Sequence, residues 1–245
     1  MATGPRLNLS ITEKRFPGAP GPLFAGLRLD VEPSSVVALV GPSGIGKSTL
    51  LRMIAGIDTD FSGSIAVDGI AAARAPTPGF VFQDPRLLPW LTATDNIRAA
   101  DPRCTPEQAE KALGLVGLAG SGTLYPHQLS GGMQRRVALA RALVVNARLL
   151  LLDEPFVSLD RTLVAEIHQL FRDIVADARP TVVFVSHLTD DAARLADRAI
   201  LLDHRPATVV ADIALPTPPA ERDAAVLADY RRLLESHRPA SDPDA

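Results

Sequence analysis

Gly41-Pro42-Ser43-Gly44-Ile45-Gly46-Lys47-Ser48-Thr49 is the stretch on which the reading of this 245-residue chain turns. Directly before it, Val36-Val37-Ala38-Leu39-Val40 is a short apolar run rich in β-branched residues, as a parallel strand buried on both faces requires. Directly after it, Leu50, Leu51, Ile54 and Ala55 recur at helical spacing until Gly56. Strand, glycine turn and helix thus follow in the order of a phosphate cradle. The glycines let the backbone curl round an anion, so that successive N–H groups and the helix N-terminus point at it. Lys47 adds a point charge, and the Ser48 hydroxyl is a hard oxygen donor suited to Mg²⁺.

Composition sets bounds around that loop. With 47% hydrophobic residues the chain has enough apolar material for a large core, and one extended cassette is expected over residues 1–245. The formal net charge is −3 and no basic cluster appears, so nucleic acid is not an expected partner. Cys104 is the only cysteine, which rules out an intrachain disulfide and suits a reducing compartment. The first residues lack the basic, apolar and small-residue order of a secretory signal. No apolar run approaches the roughly 18 residues of a membrane span. Work at a membrane is therefore expected to pass through a partner.

Outward from the loop, Leu7-Asn8-Leu9-Ser10-Ile11, Leu27-Arg28-Leu29-Asp30-Val31 and Ser64-Ile65-Ala66-Val67-Asp68 alternate apolar and polar residues, which predicts a small antiparallel sheet. The Pro/Gly-rich segment Phe16 to Leu23 turns between the first two. Gly79-Phe80-Val81-Phe82 reads as a short strand ending at Gln83. In the proline-broken segment that follows, Leu87, Leu88 and the single Trp90 either fold into a local core or form an apolar docking patch. Thr94 to Ala119 reads as helices, with Pro106 in a first turn, and Leu129 to Val145 as a longer helix capped by Ser130. A terminal helix is expected from Glu221 to Glu235.

Leu149-Leu150-Leu151-Leu152 is closed by Asp153-Glu154, and Val182-Val183-Phe184-Val185 by Ser186-His187. Ligands of open parallel sheets sit at the carboxyl ends of the strands, so both runs deliver polar groups to the edge that carries the phosphate loop. Ile200-Leu201-Leu202 reads as a further strand. An Asp-Glu pair after an apolar run is an ordinary surface turn in isolation; beside a phosphate loop it suits a metal-anchoring carboxylate followed by one that holds water.

Leu129-Ser130-Gly131-Gly132-Met133-Gln134 separates this chain from small-molecule kinases and GTPases, which do not use a second glycine turn heading a helix. Over nearly its whole length the chain resembles the ATP-binding-cassette ATPases. The matching sites are the loop from Gly41 to Thr49, Gln83, Leu129 to Gln134, Leu149 to Glu154, Ser158-Leu159-Asp160 and His187, in family order. The resemblance implies an α/β fold: a P-loop NTPase (RecA-like) core with a mainly parallel sheet, a small antiparallel β subdomain and an inserted helical subdomain. The core would comprise residues 1–90 and 146–245, and the helical part residues 91–145.

It also implies site residues. Gly41, Pro42, Ser43, Gly44, Ile45, Gly46, Lys47, Ser48 and Thr49 would surround the phosphates of ATP, with Ser48, Gln83 and Asp153 arranging Mg²⁺ and its waters. Glu154 would polarise the attacking water and His187 would contact the γ-phosphate. Ser130, Gly131 and Gly132 would bind the γ-phosphate of ATP held by a second ATPase subunit, with Asp160 near that shared interface. Phe16 matches the adenine-stacking aromatic. Arg86, Leu87, Leu88 and Trp90 would lie where a transmembrane permease docks, on the cytoplasmic face of a bacterial membrane, in a system that includes a solute-binding protein. The run Gln83 to Thr92 is similar to the nitrate, sulfonate and taurine importers. An exporter or cell-division ATPase, and a non-transport ATPase acting on nucleic acid, are the alternative readings of the same cassette.

Overall fold

A computed structural model describes residues 4–156 and 161–237 of the chain. The expected interface residue Asp160 and its neighbours Ser158 and Leu159 lie outside the described residues. Two sheets carry the architecture. Strands β1 (Leu7–Lys14), β2 (Phe24–Val31), β4 (Ser62–Val67) and β5 (Ile70–Ala71) form an antiparallel sheet in the order β2-β1-β4-β5. Strands β3 (Val36–Val40), β6 (Gly79–Val81), β7 (Leu149–Asp153), β8 (Thr181–Val185), β9 (Arg198–Asp203) and β10 (Thr208–Ala214) form the second, in the order β10-β9-β3-β8-β7-β6. Its strands are parallel except for β10, which closes one edge antiparallel to β9.

The continuous apolar runs are explained by two cores, one on each face of this sheet. Along β3, Val36, Ala38 and Val40 belong to one buried cluster and Val37 and Leu39 to the other. Strand β7 divides the same way, Leu150 and Leu152 against Leu149 and Leu151, as does β8, Val182 and Phe184 against Val183 and Val185. A strand with both faces dry has no position left for a polar side chain until it ends. The antiparallel sheet has one wet face, and β1 alternates accordingly: Leu7, Leu9 and Ile11 are buried while Asn8, Ser10 and Thr12 are exposed.

Helix α1 (Lys47–Ile54) follows β3 and packs between the two sheets. Helices α2 (Ala93–Arg98), α3 (Pro106–Leu115) and α4 (Gly131–Val144) contribute to the opposite core. Their starts are written locally. Thr92 caps α2, Thr105 and Gln108 form a reciprocal capping box on α3 with Pro106 in its first turn, and the Ser130 hydroxyl accepts from Met133 N at the start of α4. Helices α5 (Arg161–Ala178) and α6 (Thr189–Leu195) and strand β10 are additions to the expected elements. The terminal helix, α7 (Ala224–Ser236), starts three residues later than predicted because Asp223, not Glu221, accepts the first free amides. Among the described residues no helix is long and apolar enough to cross a membrane.

Candidate functional site

The carboxyl ends of β3, β7 and β8 lie side by side because these strands are parallel neighbours. Cross-strand bonds hold the ends together: Glu154 N donates to Val185 O at 3.1 Å and Ser186 N to Leu39 O at 3.4 Å. Asp153, Glu154, Ser186 and His187 therefore reach the edge from which the phosphate loop springs.

The loop is shaped by close approaches. At Gly41 a Cβ would stand 2.3 Å from Leu202 O, so only glycine lets the chain leave β3 beside β9. Gly46 caps α1 at φ 108°, ψ 7°, and a Cβ there would stand 2.8 Å from Phe24 Cζ. Lys47 is buried, and its Nζ donates to Gly41 O at 2.5 Å and Pro42 O at 2.8 Å. Ile45 takes part in the loop through its main chain, the part of it that the expected phosphate contact uses. Its side chain is buried in the core with α1.

Ser48 Oγ donates to Asp153 Oδ1 at 2.9 Å across 105 residues of sequence. Burial pushes the Asp153 carboxyl above the ordinary aspartate range; the Ser48 hydroxyl bond opposes this, the adjacent Glu154 charge adds to it, and Arg52 and Lys47 oppose it more weakly. A half-buried hydroxyl beside a buried carboxylate offers two hard oxygens to a divalent cation, and the donor set fits Mg²⁺. Gln83 Nε2 donates to Glu154 Oε2 at 3.2 Å. Glu154 itself sits at φ 51°, a left-handed conformation that non-glycine residues seldom adopt.

A cleft of about 790 Å³ runs past these groups. Its walls include Phe16, Ser43, Gly44, Gly46, Lys47, Ser48, Thr49, Gln83 and Glu154, so the structure brings together most of the site expected within one chain. Phe16 is 41% exposed, and the ammonium of the buried Lys14 lies 4.9 Å from its ring centroid. Lys14 is in turn fixed by Asp58 Oδ1 at 2.8 Å and Asp60 O at 2.7 Å. Arg205 and Pro206 also line the cleft, with Arg205 Nη2 donating to Gly44 O at 3.1 Å. Sequence reasoning missed Arg205, which carries no local motif. It arrives because the turn after β9 is tied to the start of β2 by Ala207 N donating to Leu23 O at 2.8 Å.

Ser130, Gly131 and Gly132 do not line the cleft. Ser130 and Gly131 are exposed at the head of α4, and a Cβ at Gly131 would meet nothing within 4 Å, so that turn is open to an approaching surface. His187 is exposed just beyond β8 and does not line the cleft either. After Gln83 the two readings of the apolar segment divide between residues. Leu87 packs against the core, Leu88 is half-buried, Arg86 stacks over the Phe82 ring at 4.4 Å, and Trp90 is 70% exposed. The backbone beneath them is stapled. Asn96, fully buried, accepts from Leu88 N at 2.7 Å and donates to Leu88 O, Leu91 O and Thr92 O at 3.0–3.1 Å. Arg141 of α4 donates to Pro85 O at 2.8 Å and Arg86 O at 2.9 Å.

A family model described as ABC transporter matches residues 24–157. The aliphatic sulfonates import ATP-binding protein SsuB 1 of Pseudomonas aeruginosa is 43% identical over 218 residues, 85% of this chain and 88% of the relative. A protein of the same description, SsuB 2 of Burkholderia lata, is 40% identical over 243 residues, 97% of this chain and 88% of the relative. Among solved structures, a dimeric post-hydrolysis state of the ATP-binding cassette MJ0796 bound to ADP and Pi is similar at TM-score 0.76 and 29% identity, covering 85% of this chain and 98% of that one.

Proposed function

The chain belongs to the ABC transporter ATPases, and from that premise we propose that it powers import of an aliphatic sulfonate or a similar small oxyanion through a separate membrane permease. ATP binding and hydrolysis follow from membership. The solute follows from the relatives, whose described task is sulfonate import. The single observation that carries the site assignment is the convergence of Lys47, Ser48 and the Gln83–Glu154 pair on one cleft at the phosphate loop, with Asp153 bonded to Ser48 behind it.

In this reading Phe16 stacks on adenine, and the loop amides from Ser43 to Thr49 with Lys47 bind the triphosphate. Lys47 exchanges the carbonyls of Gly41 and Pro42 for phosphate oxygens. Ser48 and Asp153, with Gln83 through water, hold Mg²⁺, which supplies charge neutralisation at the phosphates when bound. Glu154 accepts a proton from the attacking water, and Gln83 orients its carboxylate. His187 donates to the γ-phosphate. Catalysis of this kind is positioning and charge stabilisation, with little covalent work for the protein.

The cassette acts as a head-to-tail dimer, in which Ser130, Gly131 and Gly132 of one copy close on the γ-phosphate held by the other. The open surface at Gly131 and the N-terminus of α4, a natural anion site, support this. Residues 91–145 move as the unit that makes the closure. The permease docks at Arg86, Leu88 and the exposed ring of Trp90 on the cytoplasmic face of a bacterial membrane, and a solute-binding protein delivers the cargo on the other side.

Glu154→Gln tests the chemistry. It keeps the size of the side chain, and Glu154 N remains bonded to Val185 O, so ATP binding should persist while turnover falls by about 10²–10⁴-fold, the usual worth of a general base. Wild-type turnover in that variant would remove Glu154 from the role.

A further inference from the structure

Three buried polar side chains behind the end of β8 take no part in the mechanism above. Ser186, Asp191 and His168 are 1%, 4% and 3% exposed. Ser186 Oγ donates to Asp191 Oδ2 at 2.6 Å and accepts from Leu188 N at 3.0 Å. The other oxygen, Asp191 Oδ1, lies 3.2 Å from His168 Nε2, off the line of a hydrogen bond. The His168 ring is held edge-on by Phe156, with centroids 4.6 Å apart and an interplanar angle of 87°. Phe156 lies two residues beyond Glu154 and packs on Phe184 of β8.

Polar groups buried this deeply are costly unless they are bonded, and apolar residues of similar size would fill the same space more favourably. Their placement shows what they hold. The bonds of Ser186 bracket His187, because its hydroxyl fixes the peptide N–H on the far side of the histidine while its own N–H is fixed by Leu39 O. His187 makes no side-chain hydrogen bond among the described residues, so what these bonds fix is the place and direction of its main chain, from which the exposed imidazole extends. Asp191, in the first turn of α6, anchors the Ser186 hydroxyl, and His168 of α5 backs the carboxylate.

We propose that Ser186, Asp191 and His168 form a buried positioning network that aims His187 at the γ-phosphate. This rests on the role given to His187 above. Ser186 and Asp191 act through the turn, not on the nucleotide, and His168 ties that turn to the long helix α5.

Ser186→Ala, which deletes one oxygen, tests the network in the full-length protein with MgATP, by steady-state phosphate release. One lost hydrogen bond at the aiming step corresponds to a fall in kcat of roughly tenfold, with KM for ATP unchanged within about twofold. In a His187→Ala background the same substitution should cost less than about twofold, while it lowers the melting temperature equally in both backgrounds. A role in stability alone cannot give that pattern. His168→Gln, which leaves the Ser186–Asp191 bond in place, should show a smaller loss of the same form. Undiminished kcat in Ser186→Ala, or the full loss repeated when His187 is already absent, overturns the inference and leaves His187 its role. Wild-type turnover in His187→Ala itself would instead fail the role of His187, and the network's purpose with it.

Discussion

Gly46→Ala puts the physics of the phosphate loop to the test, because two separate costs fall on one methyl group. The residue stands at φ 108°, where an L side chain is strained by about 1–2 kcal/mol. The new Cβ would also stand 2.8 Å from Phe24 Cζ and 3.0 Å from Leu23 Cδ2, and Phe24 is fully buried. Overpacking of this sort adds about 1–3 kcal/mol. Together they amount to about 2–5 kcal/mol, or roughly 4–20 °C of melting temperature for a chain of this size. Gly69→Ala is the control, since Gly69 has φ 77° but nothing within 4 Å of a Cβ. It should show only the conformational cost, about 2–8 °C. Thermal unfolding of both variants without nucleotide measures the difference. Gly46→Ala no less stable than Gly69→Ala would show that Leu23 and Phe24 yield freely, and that the loop is not moulded against the start of β2.

Four other outcomes are expected. Phe16→Ala should weaken ATP binding by about 1–3 kcal/mol, the worth of one base–aromatic stack, in a calorimetric titration, and unchanged affinity would return Phe16 to plain packing. Burial raises the Asp153 carboxyl, so protons should compete with Mg²⁺ at higher pH than at an exposed aspartate: the magnesium needed for half-maximal turnover should climb as pH falls, and a flat titration would count against Asp153 as ligand. In the metal-free protein the same raised carboxyl binds its proton more tightly than in the unfolded chain. Its contribution to stability therefore grows as pH falls from the raised native value towards the ordinary 3.8, and is lost as pH rises. Trp90→Ala should weaken recovery of the permease in a pull-down while nucleotide affinity stays intact; equal recovery would make the exposed ring incidental.

Much of the core was legible because its strands are dry on both faces. A run such as Val36 to Val40 has no polar position, and the first polar groups after each run mark the edge where the site lies. The helix starts were legible in Thr92, Thr105 and Ser130, whose hydroxyls do the capping locally. Helix α5 was passed over although Ile167, Leu170, Phe171 and Ile174 carry its apolar spacing, with Ile167 and Phe171 buried. Other features had no local signal. Lys14 is held against Phe16 by Asp58 and Asp60, more than forty residues away, and Arg205 reaches Gly44 across 161 positions. Nor did composition alone divide Leu87 from Trp90, since both are apolar in one loop and only the packing of Leu87 onto the core separates them.

The clamp that Asn96 and Arg141 place on the main chain from Pro85 to Thr92 has a mechanical reading. In the docking proposed above, a push on the indole would meet a main chain bonded at Pro85, Arg86, Leu88, Leu91 and Thr92 and would be passed along it towards Gln83. Cutting the clamp with Asn96→Ala should spare basal hydrolysis and blunt its stimulation by the partner, and full stimulation in that variant would mean the message travels by another route.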